Sequence, residues 1–327
     1  MSTHKDLPVS PLAPERFPQL PKVGGMRLAT HALGLYKGRT RDDLLLVHFP
    51  AGAAAGGVFT TSSTRSADVD WCREALKAGG GKAQVLAVNA GNSNAFTGAA
   101  GIAKNRATIA AACELAGCPA HEVFLAATGV IGEPLAPNVV ADGVKAAWGR
   151  LAAPDWEKAA NAIRTTDTFA KAAGEVADLN RRNVCIAGFA KGSGMIQPNM
   201  ATTLNYVFTD AALTPRVAQA LIARYCDVTY NCITVDGDTS TSDTLMLFAT
   251  GAAGGEPIDN PDDPRLRDFC EALHRVLKDL ALQIVRDGEG ATKIIEIEVS
   301  GAASDKSAKT IAASIANSPL VKTALAA

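Results

Sequence analysis

The interval between two apolar runs constrains this chain more than any other feature. Asn183-Val-Cys-Ile-Ala-Gly-Phe-Ala190 and Leu204-Asn-Tyr-Val-Phe208 both read as strands. They are rich in the β-branched and aromatic residues that pack on a pleated surface. Between them stand Gly192-Ser-Gly194 and Pro198, with no helical run. Parallel neighbours need a crossover, usually a helix, and a glycine-proline loop does not supply one. Other strand candidates do alternate with helices. The expected class is therefore mixed α/β (α+β), not a purely parallel sheet.

Further strands are expected at 44–49, 58–61, 84–89, 122–128, 245–250 and 294–299. Helices are expected at 71–79, 101–116, 139–151, 156–163, 215–226, 266–286 and 309–316. Residues 51–57, small and glycine-rich, read as a flexible turn between two strands, and residues 1–22, rich in proline, as a surface wrap. The apolar fraction, 47% of 327 residues, is enough for one large domain or two ordinary ones. Gly251 to Pro264, dense in Gly, Pro and Asp, is the best linker candidate.

Several function classes are disfavoured. Net charge is −1 with no block of like charges, so neither nucleic acid nor an anionic membrane surface is an expected partner. No apolar run reaches the ~20 residues that span a bilayer, and the N-terminus lacks a secretory core. A cytoplasmic location is expected. The seven cysteines include no Cys-x-x-Cys pair, and the five histidines show no ligand spacing. No metal is expected, and no histidine is placed as a catalytic base. Asp236-Gly-Asp238 looks like part of a calcium loop but lacks its spacing.

Several candidate residues carry two readings. Thr202 stands where the glycine-proline loop enters 204–208; it is either an ordinary strand threonine or a nucleophile aimed by a rigid strand. Thr128-Gly129 ends a strand, either as a plain turn or as a pair of donors at one spot. Ala90 to Gly98 is a tight turn rich in amide donors, and a substrate-facing loop only on the resemblance described next. Thr165 stands in a run of good helix caps. Lys191 is a solvated charge or a carboxylate binder, and Glu289 is a cap or simply exposed.

The string Lys191-Gly-Ser-Gly-Met-Ile-Gln-Pro-Asn-Met-Ala-Thr202 resembles the self-cleavage segment of the ornithine acetyltransferase family, the bifunctional glutamate N-acetyltransferases of arginine biosynthesis. Gly57-Val-Phe-Thr-Thr61, Ala90-Gly-Asn-Ser-Asn-Ala-Phe-Thr-Gly98, Thr165-Thr-Asp-Thr168, Val235 to Thr244, Asp287-Gly-Glu-Gly-Ala-Thr-Lys293 and Ser318-Pro-Leu-Val-Lys-Thr-Ala324 are similar to further stretches of it, with Ser242 where the family has Asn. The resemblance implies a cut between Ala201 and Thr202, giving an α chain 1–201 and a β chain 202–327. It implies Thr202 as nucleophile, Thr128 and Gly129 as the oxyanion hole, and Thr165, Lys191, Thr202 and Glu289 as substrate contacts.

The implied fold is a layered α/β sandwich of the ornithine acetyltransferase and self-cleaving aminopeptidase type. Its main catalytic domain would cover 1–250 and a smaller C-terminal domain 265–327. Implied substrates are N-acetylornithine and glutamate, with no cofactor or metal; some members also take acetyl-CoA as co-substrate. Implied assembly is α2β2. Family members continue past the Ser-Pro-Leu-Val-Lys-Thr-Ala stretch, through an Asn-Trp-Gly-Arg segment, whereas this sequence ends at Ala327. Two alternatives stand beside the acetyltransferase: a related aminopeptidase or amidase that gives the acyl group to water, and an inactive truncated remnant.

Overall fold

The computed structural model describes residues 8–197 and 203–326. Eight strands form one sheet: β1 (Arg27–His31), β2 (Leu44–Phe59), β3 (Lys82–Asn92), β4 (Val123–Val130), β5 (Lys171–Asp178), β6 (Asn183–Lys191), β7 (Leu204–Thr209) and β8 (Thr244–Ala249). Their order is β4-β3-β2-β8-β7-β6-β5, with β1 also paired to β2. Pairs β3/β4 and β7/β8 are parallel and the rest antiparallel. The class is mixed, and β6/β7 is antiparallel.

β2 corrects one expectation. Residues 44–49 and 58–61 were expected as two strands around a flexible turn, but 44–59 is one 16-residue strand. Its register with β3 breaks between His48 and Ala53, a bulge of the kind that bends a strand. The bend has a large consequence. β4 and β8 are separated in the sheet by β3 and β2, about 14 Å if flat. Yet the rings of Phe124 in β4 and Phe248 in β8 lie 6.1 Å apart. The sheet therefore doubles over into two facing layers. Between them sits a core that includes Phe49, Phe124, Phe189, Tyr206, Phe208 and Phe248.

Helices cover the outside. α5 (Pro215–Asp227) and α6 (Arg267–Arg286) bury apolar faces against Ile186, Val207, Leu245 and Leu247. α2 (Gly98–Ala116) and α3 (Asn138–Trp148) do the same against Leu44, Leu46, Val85 and Ala87. α1 (Ala67–Ala78) and α4 (Trp156–Ala162) contribute Cys72, Ala75, Trp156 and Ala159 to the inner core. The ends of these helices follow local chemistry. Ser66 accepts from the Val69 amide at the start of α1, and Thr214 accepts from the Val217 amide with Pro215 in the first turn of α5.

Three further differences stand out. β5 was not anticipated, because Lys-Ala-Ala-Gly-Glu-Val-Ala-Asp carries few strand-favouring residues; it pairs along its whole length with β6. The alternating run 294–299 was expected as a strand but pairs with no strand among the described residues and is largely exposed. α6, placed by sequence in the smaller C-terminal unit, packs on β5 and β6 and joins the main core. Beyond it, α7 (Asp305–Ala316) and α8 (Pro319–Ala326) bury no residue.

Candidate acyl-transfer site

Folding the sheet over brings distant strand ends together. Lys171 opens β5, Lys191 closes β6, Leu204 opens β7 and Thr244 opens β8; Lys191 pairs with Leu204 and Leu204 with Thr244, while Lys171 pairs with Ala190, one residue before Lys191. The C-terminal end of β4 arrives from the other layer. The Lys191 ammonium Nζ donates to Thr128 Oγ1 at 3.2 Å, across 63 residues of sequence. Both residues are buried. This contact places the expected donor pair and the expected lysine in one site.

Gly129 follows Thr128 with φ +132°, a conformation that L side chains rarely adopt. A Cβ there would lie 2.4 Å from the Gly91 carbonyl carbon and 2.7 Å from the Asn92 nitrogen. Only glycine lets β3 and β4 approach this closely. The following turn is strapped to the 93–97 loop, where Ser93 N donates to Val130 O at 3.0 Å and Gly132 N to Ala95 O at 3.0 Å.

That loop resolves its own ambiguity toward architecture. Asn92, Ser93 and Asn94 are buried. Asn94, at φ +53°, donates from Nδ2 to Asp68 Oδ2 at 2.7 Å and Asn105 Oδ1 at 3.1 Å. Lys104 Nζ lies 3.3 Å from both Asp68 Oδ1 and Asn89 Oδ1. The short polar side chains satisfy one another, as buried polar groups must.

On the other side of Lys191 lies a buried charge cluster that sequence reading missed. Lys171 Nζ is 2.7 Å from Asp167 Oδ1 and 2.5 Å from Asp287 Oδ2, and all three side chains are 0% exposed. Asp167 Oδ1 also accepts from Gly192 N at 2.6 Å, and Oδ2 from Thr165 N at 3.0 Å. Asp287 accepts from Thr168 N at 2.9 Å. Three site segments, 165–168, 192–194 and 287–289, are thereby tied to one ammonium. Burial pushes the Asp167 carboxyl up, but Lys171, Lys191 and the Gly192 amide outweigh it and hold it well below the usual carboxylate range.

Thr165 thus reaches the site through Asp167. Glu289 does so through the glycine loop: its amide donates to Ser193 O at 3.0 Å, and its Oε1 would lie 2.9 Å from a Cβ on Gly194. Thr166 Oγ1 and Ser193 Oγ share a hydrogen bond at 2.6 Å. Lys191 feels three acids. Burial lowers its pKa; Asp167 raises it, Lys171 lowers it, and Asp243 and Glu289 raise it, leaving it below the ordinary lysine value.

The expected nucleophile Thr202 and its partner Ala201 lie outside the described residues. The next residue does not. Thr203 N donates to Asp243 Oδ1, and Thr203 O accepts from Thr244 N at 2.9 Å. Asp243 is 0% exposed, and its Oδ2 has no partner among the described residues. Burial pushes its carboxyl well above the usual range, against the pull of the Thr203 amide and Lys191. Asp167, Lys171, Asp243 and Asp287 carried no sequence signal beyond their places beside the Thr-Thr-Asp-Thr, Ser-Asp-Thr and Asp-Gly-Glu strings. Among the described residues no cluster of His, Cys, Asp or Glu could hold a metal ion.

A hydroxyl and a glycine amide at a strand end, beside a buried ammonium, are the equipment of acyl transfer, because fixed donors of this kind stabilise a tetrahedral oxyanion. The class is a mixed α/β acyl-transfer enzyme built on a folded-over sheet. Comparison with known proteins narrows it. The profile of the ArgJ family matches residues 27–327, and the chain belongs to that family. It is 52% identical over 323 residues to the arginine biosynthesis bifunctional protein ArgJ of Bradyrhizobium diazoefficiens, covering 97% of this chain and 77% of that one. It is 51% identical over 326 residues to the ArgJ protein of Gluconobacter oxydans, covering 99% and 76%. In fold alone it is similar to the L-aminopeptidase D-Ala-esterase/amidase of Ochrobactrum anthropi, described as a variant of the Ntn hydrolase fold. There the TM-score is 0.50 at 13% identity, covering 81% of this chain and 85% of that one.

Proposed function

We propose that this chain cuts itself between Ala201 and Thr202 and then moves acetyl groups from N-acetylornithine to glutamate, in arginine biosynthesis. The observation that carries the reading is the Lys191–Thr128 contact, which joins the donor pair to the lysine at the end of β6. The family relation supports the substrate pair.

In processing, Thr202 Oγ attacks the Ala201 carbonyl carbon. The carbon–nitrogen bond breaks, the nitrogen takes up the hydroxyl proton, and an ester joins Ala201 to Thr202. Water then adds to the ester, leaving an Ala201 carboxylate, a free hydroxyl and a free Thr202 α-amine. An α-amine has an ordinary pKa of about 8, so it serves as proton acceptor near neutral pH. In turnover the same oxygen attacks the acetyl carbon of N-acetylornithine. Ornithine leaves with the proton on its nitrogen, and acetyl-Thr202 remains. The glutamate amine attacks this ester and gives up a proton as N-acetylglutamate departs.

Thr128 Oγ1 and the Gly129 amide stabilise each oxyanion. Lys191 takes a substrate carboxylate, Glu289 an ammonium, and Thr165 completes the binding surface. The reaction as written uses no cofactor, and acetyl-CoA is a second donor for the same threonine. The two fragments would pair as α2β2 in the cytoplasm.

Intact mass of purified protein, with an assay of acetyl transfer, tests the reading. Two fragments split after Ala201, saturable transfer to glutamate and loss of both with Thr202→Ala are expected. Acetate release without glutamate acetylation would favour an amidase instead.

A further inference from the structure

Residues 234–244, Thr-Val-Asp-Gly-Asp-Thr-Ser-Thr-Ser-Asp-Thr, have no part in the transfer chemistry. Yet they grip the chain on both sides of the self-cleavage point. Upstream, the Asp236 carboxylate accepts from two successive amides, Met195 N at 2.5 Å and Ile196 N at 2.9 Å. The Ile196 carbonyl is held as firmly, by Val235 N at 2.9 Å and Thr234 Oγ1 at 3.0 Å. Asp236 is itself steadied by Asp238 N at 3.0 Å. Met195 stands at φ +58°, a conformation a methionine keeps only when its surroundings impose it. Downstream, the buried Asp243 carboxyl accepts from Thr203 N, while Thr244 N holds Thr203 O. Asn205 Nδ2 donates to Thr203 Oγ1 at 2.6 Å. Ile196 and Thr203 are seven residues apart, and so are Asp236 and Asp243. The two grips are therefore tethered by a piece of chain as short as the piece they hold.

We propose that Asp236 and Asp243 are positioning residues for self-processing: they fix the chain at 195–196 and at 203, and so set the rate at which the Ala201–Thr202 bond is broken. The proposal rests on the self-cleavage reading above. An intramolecular acyl shift gains its speed from holding oxygen and carbonyl carbon near attack geometry. A segment free at one end spends less time there. Neither carboxyl group exchanges atoms in the step. The Thr202 oxygen–carbon bond forms, the carbon–nitrogen bond breaks and the hydroxyl proton moves to nitrogen, while the two acids only hold the frame.

The test is timed cleavage in the full chain. Wild type, Asp236→Ala, Asp236→Asn and Asp243→Ala are expressed as a short pulse, and the fraction cut is followed by intact mass. Transfer is measured per free Thr202 N-terminus. Asp236 is exposed, so its replacement leaves the core untouched. Asp236→Ala should slow cleavage by about tenfold or more, the loss of two charge-assisted hydrogen bonds. Asp236→Asn, which keeps one acceptor oxygen, should fall between. Asp243→Ala should also slow cleavage; if it does not fold, the Asp236 pair decides. Activity of each Asp236 preparation should track its cleaved fraction. Cleavage at the wild-type rate in Asp236→Ala would overturn the proposal, as would an equal loss of transfer per cleaved chain. A wild-type chain that stays whole would remove the self-cleavage reading, and this inference with it.

Discussion

Replacing Lys171 by methionine keeps the length of the side chain and removes its charge. The two carboxylates it joins, Asp167 and Asp287, are 0% exposed and would face each other unpaired. Breaking a buried ion pair from one side costs about 3–5 kcal/mol, because the remaining charge stays buried without compensation. Unfolding entropy is about 2.1 cal/mol/K per residue, so for 327 residues a loss of about 4 kcal/mol lowers Tm by about 6 °C. The pH dependence gives a second handle. In the wild type, Asp167 is held below the ordinary carboxylate range despite burial. Its contribution is therefore present above pH ~4 and lost as pH falls below that. In Lys171→Met the Asp167 carboxyl protonates more readily, so the Tm deficit should be widest near neutrality and narrow in acid. Segments 165–168, 192–194 and 287–289 lose their common tie at the same time, so KM for both amino acids should rise about tenfold or more. Differential scanning calorimetry from pH 3.5 to 7.5 is the assay. A deficit under about 2 °C, or one that does not change with pH, would refute the assignment of Lys171 as the keystone of this cluster.

Three more perturbations follow from the same geometry. Thr128→Val removes one oxyanion donor and the acceptor of Lys191; steady-state kinetics should show kcat down about 100- to 1,000-fold with KM little changed. Gly129→Ala sets a Cβ 2.4 Å from the Gly91 carbonyl carbon, so β3 and β4 must part; it should cost more activity than Thr128→Val and lower Tm as well, measured on the same preparations. Asp243→Asn replaces a carboxyl whose folded pKa burial has raised well above normal. Such a group contributes stability that is full below the unfolded pKa of about 4 and lost as pH rises through its folded value. The Tm of Asp243→Asn relative to wild type should therefore climb as pH rises from 4, in a thermal-melt series; a flat difference would count against a raised pKa.

The sequence carried most of the parts and little of their assembly. β6, β7, β8 and α5 were legible because each has dense apolar residues and clear punctuation, such as Thr214-Pro215 at the start of α5. β5 was not, since Lys171 to Asp178 is strand by partnership with β6 and not by composition. The turn expected at 51–57 failed for a related reason. Its glycines read as a break, but Gly56 and Gly57 pair with β8, and Gly56 leaves room for the α5 backbone, 2.5 Å from where a Cβ would sit. Of the site, Thr128, Gly129, Lys191, Thr165 and Glu289 were nameable only through resemblance. Their convergence depends on the doubled sheet, which no local pattern announces. Asp167, Lys171 and Asp287 were invisible because a buried ion cluster has the same letters as a solvated face.

That invisibility has a physical sense. An acyl-transfer site needs groups fixed to a fraction of an ångström, and loops alone do not provide that. Here four stretches of the site end on aspartate carboxyl groups: 165 and 192 on Asp167, 168 on Asp287, 195–196 on Asp236, and 203 on Asp243. The acids at 167 and 287 work as paired anions held by Lys171. Asp243 works by burial that favours its protonated form, and Asp236 works at the surface, where water competes. One residue type thus anchors four stretches of backbone under three electrostatic regimes. The regimes predict different sensitivities: Asp167 and Asp287 to loss of Lys171, and Asp243 to rising pH. A shared response of all four to one perturbation would mean that the anchors act through overall stability and not through the backbone amides they hold.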